Sequence, residues 1–317
     1  MGFYAPDALV HEAQRRGLTV VAPDVNASAV ECTVLPPRGP GDPPPGIRLG
    51  LGRILGVRED EIAALVAERE RGGPFSSLVD LASRAGAGRP ALEQLAWSGA
   101  CDALAGGDRR RVFWELGVAS PGRRLPGGAG TQLALALDTG PAPALAALGD
   151  RDRMVADYAT TGLTTGPHPL ALERDRLAAR GVASTADLPA IADRESLWIA
   201  GLVLARQRPS TASGVCFVLI EDEHGTANLI LPPAVYDRHR AIVRTEPLLV
   251  AAGILERHPA AGGGVNILCH ALERYERAGL TATTTTLHSG EPEPDPQLSD
   301  FRAVAPPIQS FATGRRR

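Results

Sequence analysis

The stretch "ARQRPSTASGVCFVLIEDEHGTANLILPP", Ala205 to Pro233, gathers groups suited to a polyanion. Arg206 and Arg208 offer guanidinium forks, Ser210, Thr211 and Ser213 offer hydroxyls, and Phe217 offers an aromatic face. Forks and hydroxyls bond phosphate oxygens, and an aromatic ring stacks on a base. The acidic run Glu221-Asp222-Glu223 reads as a solvated cap on the turn that follows, rather than as a metal cluster. His168, in "GPHP", has no Ser, Cys or carboxylate pattern around it that would make it a general base. Four cysteines show no CxxC spacing and seven histidines no HExxH, so no metal site is expected. Glycine-rich phosphate loops of the Walker or dinucleotide type are also missing from the sequence. No catalytic residue is identified, no cofactor is expected, and the chain by itself does not read as an enzyme.

A second constellation lies in "LGRILGVREDEIAALVAER". Leu55, Gly56 and Val57 form a turn between two short helical stretches, flanked by Arg53 and Arg58. Such a turn can aim consecutive backbone N–H groups at a phosphate where the next helix begins. The plainer reading is a tight turn whose glycine supplies positive φ. Glu59, Asp60 and Glu61 beside it oppose strong phosphate attraction.

The elements that position these groups follow from composition and periodicity. At 317 residues and 44% apolar content the chain has room for about two domains with cores. A net charge of -3 excludes a strongly basic nucleic-acid protein, and every one of the 33 basic residues is an arginine. Scattered cysteines, no leader-like amino terminus and no long apolar run point to a reducing cytoplasm and no membrane. Residues 1–46 hold a helix over Pro6–Arg16, a short strand in "LTVVAPDVN" and a proline-rich spacer, "PPRGPGDPPPG". Residues 47–117 are helical, with apolar spacing over Asp60–Arg69, Leu78–Arg84, Pro90–Ser98 and Arg109–Leu116. An Ala/Gly/Pro-rich linker (118–150) and a helical connector (151–195) come next. Residues 196–276 then read β at 197–206, 214–222 and 226–231, a helix at 234–244, and β at 247–257 and 264–274. Residues 277–317, with "TATTTT", "EPEPDP" and "GRRR", read as a disordered tail.

The order β-β-β-α-β-β is that of a five-stranded oligonucleotide-binding (OB) barrel. The fold class expected is therefore α+β multidomain, a helix–hairpin–helix module followed by that barrel. In OB barrels the second and third strands bind, edged by two loops. That puts Arg206, Arg208, Ser210, Thr211 and Ser213 on one lip and Arg257 and His258 on the other. Phe217 is the candidate stacking platform, with Asn228 and Ile230 beside it, although a Phe in such a strand is more often core than platform.

Taken together, these segments resemble a known family. "MGFYAPDALVHEAQRRGLTVVAPDVNAS" is similar to the end of the fingers in bacterial C-family DNA polymerases, the DNA polymerase III α-subunit group. "GIRLGLGRILGVREDEIAALVAERERGGPFSSLVDLASRAG" with "ALEQLAWSGACDAL" resembles that group's helix–hairpin–helix region. "DYATTGLTTGPHPLALERDRL" and "IAGLVLARQRPSTASGVCFVLIEDEHGTANLIL" resemble its connector and OB domain, and "LSDFR" favours the error-prone, damage-tolerant branch. The resemblance implies a carboxy-terminal portion, with the family's palm aspartates upstream and Mg²⁺ needed only by the full-length polymerase. It implies DNA as partner, as single-stranded template and as duplex. At Ser213 the family often has a basic residue. Gln132 and Leu135 in "TQLALAL" loosely match a sliding-clamp peptide. The alternative is an interaction scaffold that docks the clamp or accessory mutagenesis proteins.

Overall fold

The computed structural model describes residues 5–37, 45–119, 121–124, 131–132, 145–258, 264–275 and 301–312. They fall into two compact units, Arg16–Gly166 in one and Met1–Arg15 with Pro167–Arg317 in the other. Helix α1 (Pro6–Arg15) therefore belongs with the carboxy-terminal half. The expected connector 151–195 is divided between the two units.

The Arg16–Gly166 unit begins with a small sheet. Its central strand β3 (Gly46–Arg48) runs parallel to β1 (Val20–Val21) and antiparallel to β2 (Thr33–Leu35). A 3-10 turn, Leu51–Arg53, leads through the Gly56 turn into α2 (Glu59–Gly72). Ile62, Leu65 and Val66 are three and four residues apart, so they share the buried face of α2. α3 (Leu78–Arg84) starts where Ser77 accepts the Asp80 N–H at 3.1 Å, and α5 (Arg109–Val118) where Asp108 accepts the Arg111 N–H at 3.2 Å. Between them α4 (Arg89–Trp97) opens with proline in its first turn, where its missing N–H costs nothing. Leu51, Ile54, Phe75, Leu81, Leu95 and Val112 meet in one core. A two-residue hairpin, β4 (Arg123–Arg124) with β5 (Thr131–Gln132), and α6 (Asp150–Thr161) complete the unit.

In the other unit, α7 (Arg174–Ala179) and β6 (Val182–Ala183) precede a closed barrel. Its strands are β7 (Ser196–Arg208), β8 (Cys216–Glu221), β9 (Thr226–Leu231), β10 (Leu248–His258) and β11 (Gly264–Arg274). They are hydrogen-bonded in the order β7-β8-β9-β11-β10, and β10 returns to β7. Only β9 and β11 run parallel in the ring, so the barrel is mixed, as in an OB fold. Period-two alternation sends Cys216, Val218 and Ile220 of β8, and Ala227, Leu229 and Leu231 of β9, to the interior.

Two glycines let so small a ring close. A side chain at Gly201 would meet Ile220 at 2.5 Å, and one at Gly253, beside a bulge, would meet Ile267 at 2.6 Å. The expected helix at 234–244 is two short ones, α8 (Pro233–Arg238) and α9 (Arg240–Thr245), interrupted at His239. The expected disorder of 277–317 does not extend to 301–312. There α10 (Phe301–Val304) buries Phe301, Ile308 packs on the barrel core, and β12 (Gln309–Ala312) pairs with β7. No helix among the described residues is long and apolar enough to cross a membrane.

Candidate functional site

The outer face of the barrel presents two rows of side chains. Across the β7–β8–β9–β11 pairings one row reads Gln207, Phe217, Ile230, Leu268, and the next Leu219, Asn228, Asn266. Phe217 is half-buried and belongs to the outward set, so it stands on the surface and not in the core. Asn228 Nδ2 donates to Asn266 Oδ1 at 2.8 Å, which holds one amide pair flat beside the apolar row. Edge groups of this kind suit stacked, partly hydrogen-bonded bases.

The lip differs from expectation at two arginines. Arg206 lies opposite Val218, an interior residue, so alternation turns it toward the barrel end instead of beside Phe217. Its guanidinium donates to Glu246 O at 2.8 Å, and burial lowers its pKa. Arg257 donates to the carbonyls of Leu188, Pro189 and Ile191, clamping the segment ahead of β7. Neither is a free phosphate ligand. Arg208 remains exposed, resting over the Tyr236 ring at 4.4 Å and donating to Gly214 O at 3.2 Å. Ser210, Thr211 and Ser213 are exposed on the loop beside it. Ser213 has φ +50°, which an L residue with a short polar side chain tolerates poorly outside turns.

The helical turn is likewise sorted by its partners. Leu55 and Gly56 are exposed, Val57 and Arg53 half-exposed, and Gly56 has φ +77°. The Leu55 N–H is already used on Thr160 O at 2.7 Å. Among the described residues the N–H groups of Gly56 and Val57 make no backbone hydrogen bond. Arg58 is spent on Asp60 at 2.7 Å. Glu61 fills the neighbouring anion positions itself, accepting from Arg58 N–H at 3.3 Å and from Gly88 N–H at 3.1 Å. Gln132 lies in β5, and Leu135 falls outside the described residues, as does the side chain of His258.

The acidic run is not a solvated cap. Glu221 and Asp222 are fully buried. Asp222 accepts from the N–H groups of Thr185 (2.6 Å), His224 (2.9 Å) and Gly225 (3.0 Å), which builds the β8–β9 turn from inside. Glu223 pairs with Arg174. Glu221 accepts from His11 Nδ1, with His168 Nε2 at 3.5 Å and Arg15 at 3.6 Å. Burial alone would raise its pKa, yet the two histidines outweigh it and hold the carboxyl down to about 2. Burial keeps the His168 pKa below the usual imidazole value.

His11, His168 and Glu221 are also a two-histidine, one-carboxylate set of the kind that binds metals. The proton positions do not suit one. His168 Nδ1 accepts the Leu170 N–H at 3.1 Å, so in neutral His168 the proton sits on Nε2, the nitrogen facing Glu221. A metal needs that nitrogen bare. The cluster is a buried polar anchor, in which the His11 hydrogen bond ties α1 to β8 and the His168 ring of the "GPHP" turn packs edge-on against His11. Sequence spacing does not expose it, because His11 and Glu221 are 210 residues apart.

The helix–hairpin–helix motif family matches residues 17–112. An error-prone DNA polymerase of Mycolicibacterium paratuberculosis is 37% identical over 88% of this chain and 24% of that protein. The corresponding figures are 42%, 83% and 26% for one from Pseudomonas fluorescens, and 40%, 84% and 23% for one from Anaeromyxobacter sp. strain K. The chain thus spans about a quarter of the length of these relatives. Among solved structures, asparaginyl-tRNA synthetase from Pyrococcus horikoshii aligns with 26% of this chain and 20% of that one, at 20% identity and a TM-score of 0.22, too slight a likeness to bear on function.

Proposed function

We propose that this chain, 37–42% identical over 83–88% of its length to parts of error-prone DNA polymerases, is a DNA-binding portion of such an enzyme without a catalytic site of its own. The observation that carries this reading is the outward row Gln207–Phe217–Ile230–Leu268 beside the exposed loop of Ser210, Thr211 and Ser213. Single-stranded template stacks on Phe217 and runs past Arg208, while the Gly56 and Val57 N–H groups take a duplex phosphate without reading sequence. With acids slightly outnumbering arginines along the barrel, binding is weak and sensitive to salt.

The test is titration of a labelled oligothymidine at ~50 mM salt with the chain and with Phe217→Ala. Loss of a stacked base weakens binding by ~1–3 kcal/mol, and Phe217→Ala with Arg208→Ala weakens it further. No binding by the unaltered chain overturns the reading, and so does primer extension that survives repurification. A second reading, a scaffold for a sliding clamp or accessory protein, draws on one observation. An apolar groove of about 330 Å³ is lined by Trp97, Phe113, Trp114 and Val118. Under that reading the double variant keeps its protein partners and its oligonucleotide affinity.

A further inference from the structure

The end of β7, the loop after it and the start of α8 meet at Arg208. The loop turns tightly, with the Ala212 N–H donating to Pro209 O at 3.1 Å and the Val215 N–H to Ala212 O at 2.9 Å. Ser213 (φ +50°) and Gly214 (φ +86°) both have positive φ, which brings the chain back beside Arg208. A side chain at Gly214 would touch Pro233, the first residue of α8, at 3.4 Å. About one turn further along α8, Tyr236 is buried in the barrel core. Its ring lies under the Arg208 guanidinium, whose Nε donates to Gly214 O. That bond uses one N–H of the fork, and the side chain stays exposed, so its other donors remain for an acceptor.

A free arginine side chain loses rotamer freedom when it grips a phosphate, and that loss weakens binding. Arg208 is already ordered. The ring beneath attracts its guanidinium, and the Gly214 carbonyl fixes the Nε end. A planar fork can stack on a ring and still pair its edge donors with phosphate oxygens, which an ammonium cannot do. Tyr236, being buried, reaches a ligand only through Arg208. We propose that Tyr236 is a positioning residue of the barrel lip, holding Arg208 in the pose in which its guanidinium takes a phosphate of single-stranded nucleic acid. This rests on the nucleic-acid reading above.

The test is a double-mutant cycle on the full chain with Arg208→Gln, Tyr236→Leu and the two combined. Labelled oligothymidine is titrated from ~50 to ~300 mM salt, a range over which phosphate contacts weaken. Arg208→Gln is expected to bind about three- to tenfold more weakly, and its slope of log affinity against log salt falls by ~0.7, one single-strand phosphate contact. Tyr236→Leu should show most of the same loss, and should add almost nothing once Arg208 is replaced. A ring that only fills the core would have the same effect in both backgrounds, and that additivity overturns the proposal. Tyr236→Leu binding as tightly as the unaltered chain overturns it too. Tyr236→Phe keeps the ring and should restore affinity to within about twofold; a loss as large as that of Tyr236→Leu counts against the ring. Arg208→Lys, a change at an exposed position, keeps the charge without the fork and should bind about threefold more weakly. Unaltered affinity in Arg208→Lys overturns the proposal even where Tyr236→Leu is too unstable to titrate. Each of these results leaves the nucleic-acid reading standing, whereas failure of the unaltered chain to bind overturns both.

Discussion

Asp7 sits wholly buried near the start of α1, four residues before His11. Burial pushes its carboxyl above the usual range, only partly offset by His11. A folded pKa raised above the unfolded value means that the folded state binds the proton more readily, so ionised Asp7 destabilises at neutral pH. Asp7→Asn should therefore raise the melting temperature at pH 8 by the equivalent of ~1–2 kcal/mol. Thermal melts should show that advantage shrinking as pH falls toward the unfolded value of 3.8. Glu221 has the opposite sign. Its folded pKa near 2 stabilises above 4.5 and loses that contribution as pH falls toward 2. The sequence already puts Arg208 on a lip and Asn228 on the binding face, because strand alternation is local, whereas it leaves Phe217 between platform and core. It could not sort Arg206 from Gln207, since a register shift between Val203 and Ala205 decides which of them lies beside Phe217. Nor could it show where Arg257 spends its donors, on carbonyls more than 60 residues earlier.

At the scale of elements, the helices and the five barrel strands are legible because periods of 3.6 and 2 are written into apolar spacing. Contacts between elements are not. Glu61 joins the turn before α2 to the start of α4 through Gly88, 27 residues on, and no periodicity announces that. The same turn gives a sharp prediction. Gly56 holds φ +77°, and a side chain there would touch Gln94 at 3.4 Å. Gly56→Ala should cost ~1–2 kcal/mol from the left-handed backbone. It should also re-aim the Gly56 and Val57 N–H groups, lowering duplex affinity more than single-strand affinity in paired titrations. Equal losses on both would mean that the turn is only a turn. The interruption of α8 and α9 at His239 escaped the apolar pattern because Tyr236 and Val243, seven residues apart, fit one continuous helix as well as two.

At the scale of the whole molecule, the chain divides into two units with separate cores. Each has a buried ion-paired anchor of its own. In the Arg16–Gly166 unit Arg109 bonds Asp157 at 2.7 Å and Trp97 O at 3.0 Å, and in the other Glu221 receives His11. Removing one partner of a buried pair costs ~3–5 kcal/mol. Calorimetry should resolve two transitions, with Arg109→Met lowering one and Glu221→Ala the other. A single transition moved by both variants would mean that the units melt together. The division itself was hidden from composition, which groups residues 1–15 with the proline-rich spacer in one segment, 1–46.

The strand β12 also settles a matter of company. β10 covers β7 only from Ser196 to Leu202, and beyond that the row of N–H and C=O groups at Ala205–Arg208 is paired by Gln309–Ala312. An uncovered strand edge is a template for another copy of the chain. By lying along it, four residues of the tail keep a protein of small net charge from adding to itself, edge to edge, in a crowded solution.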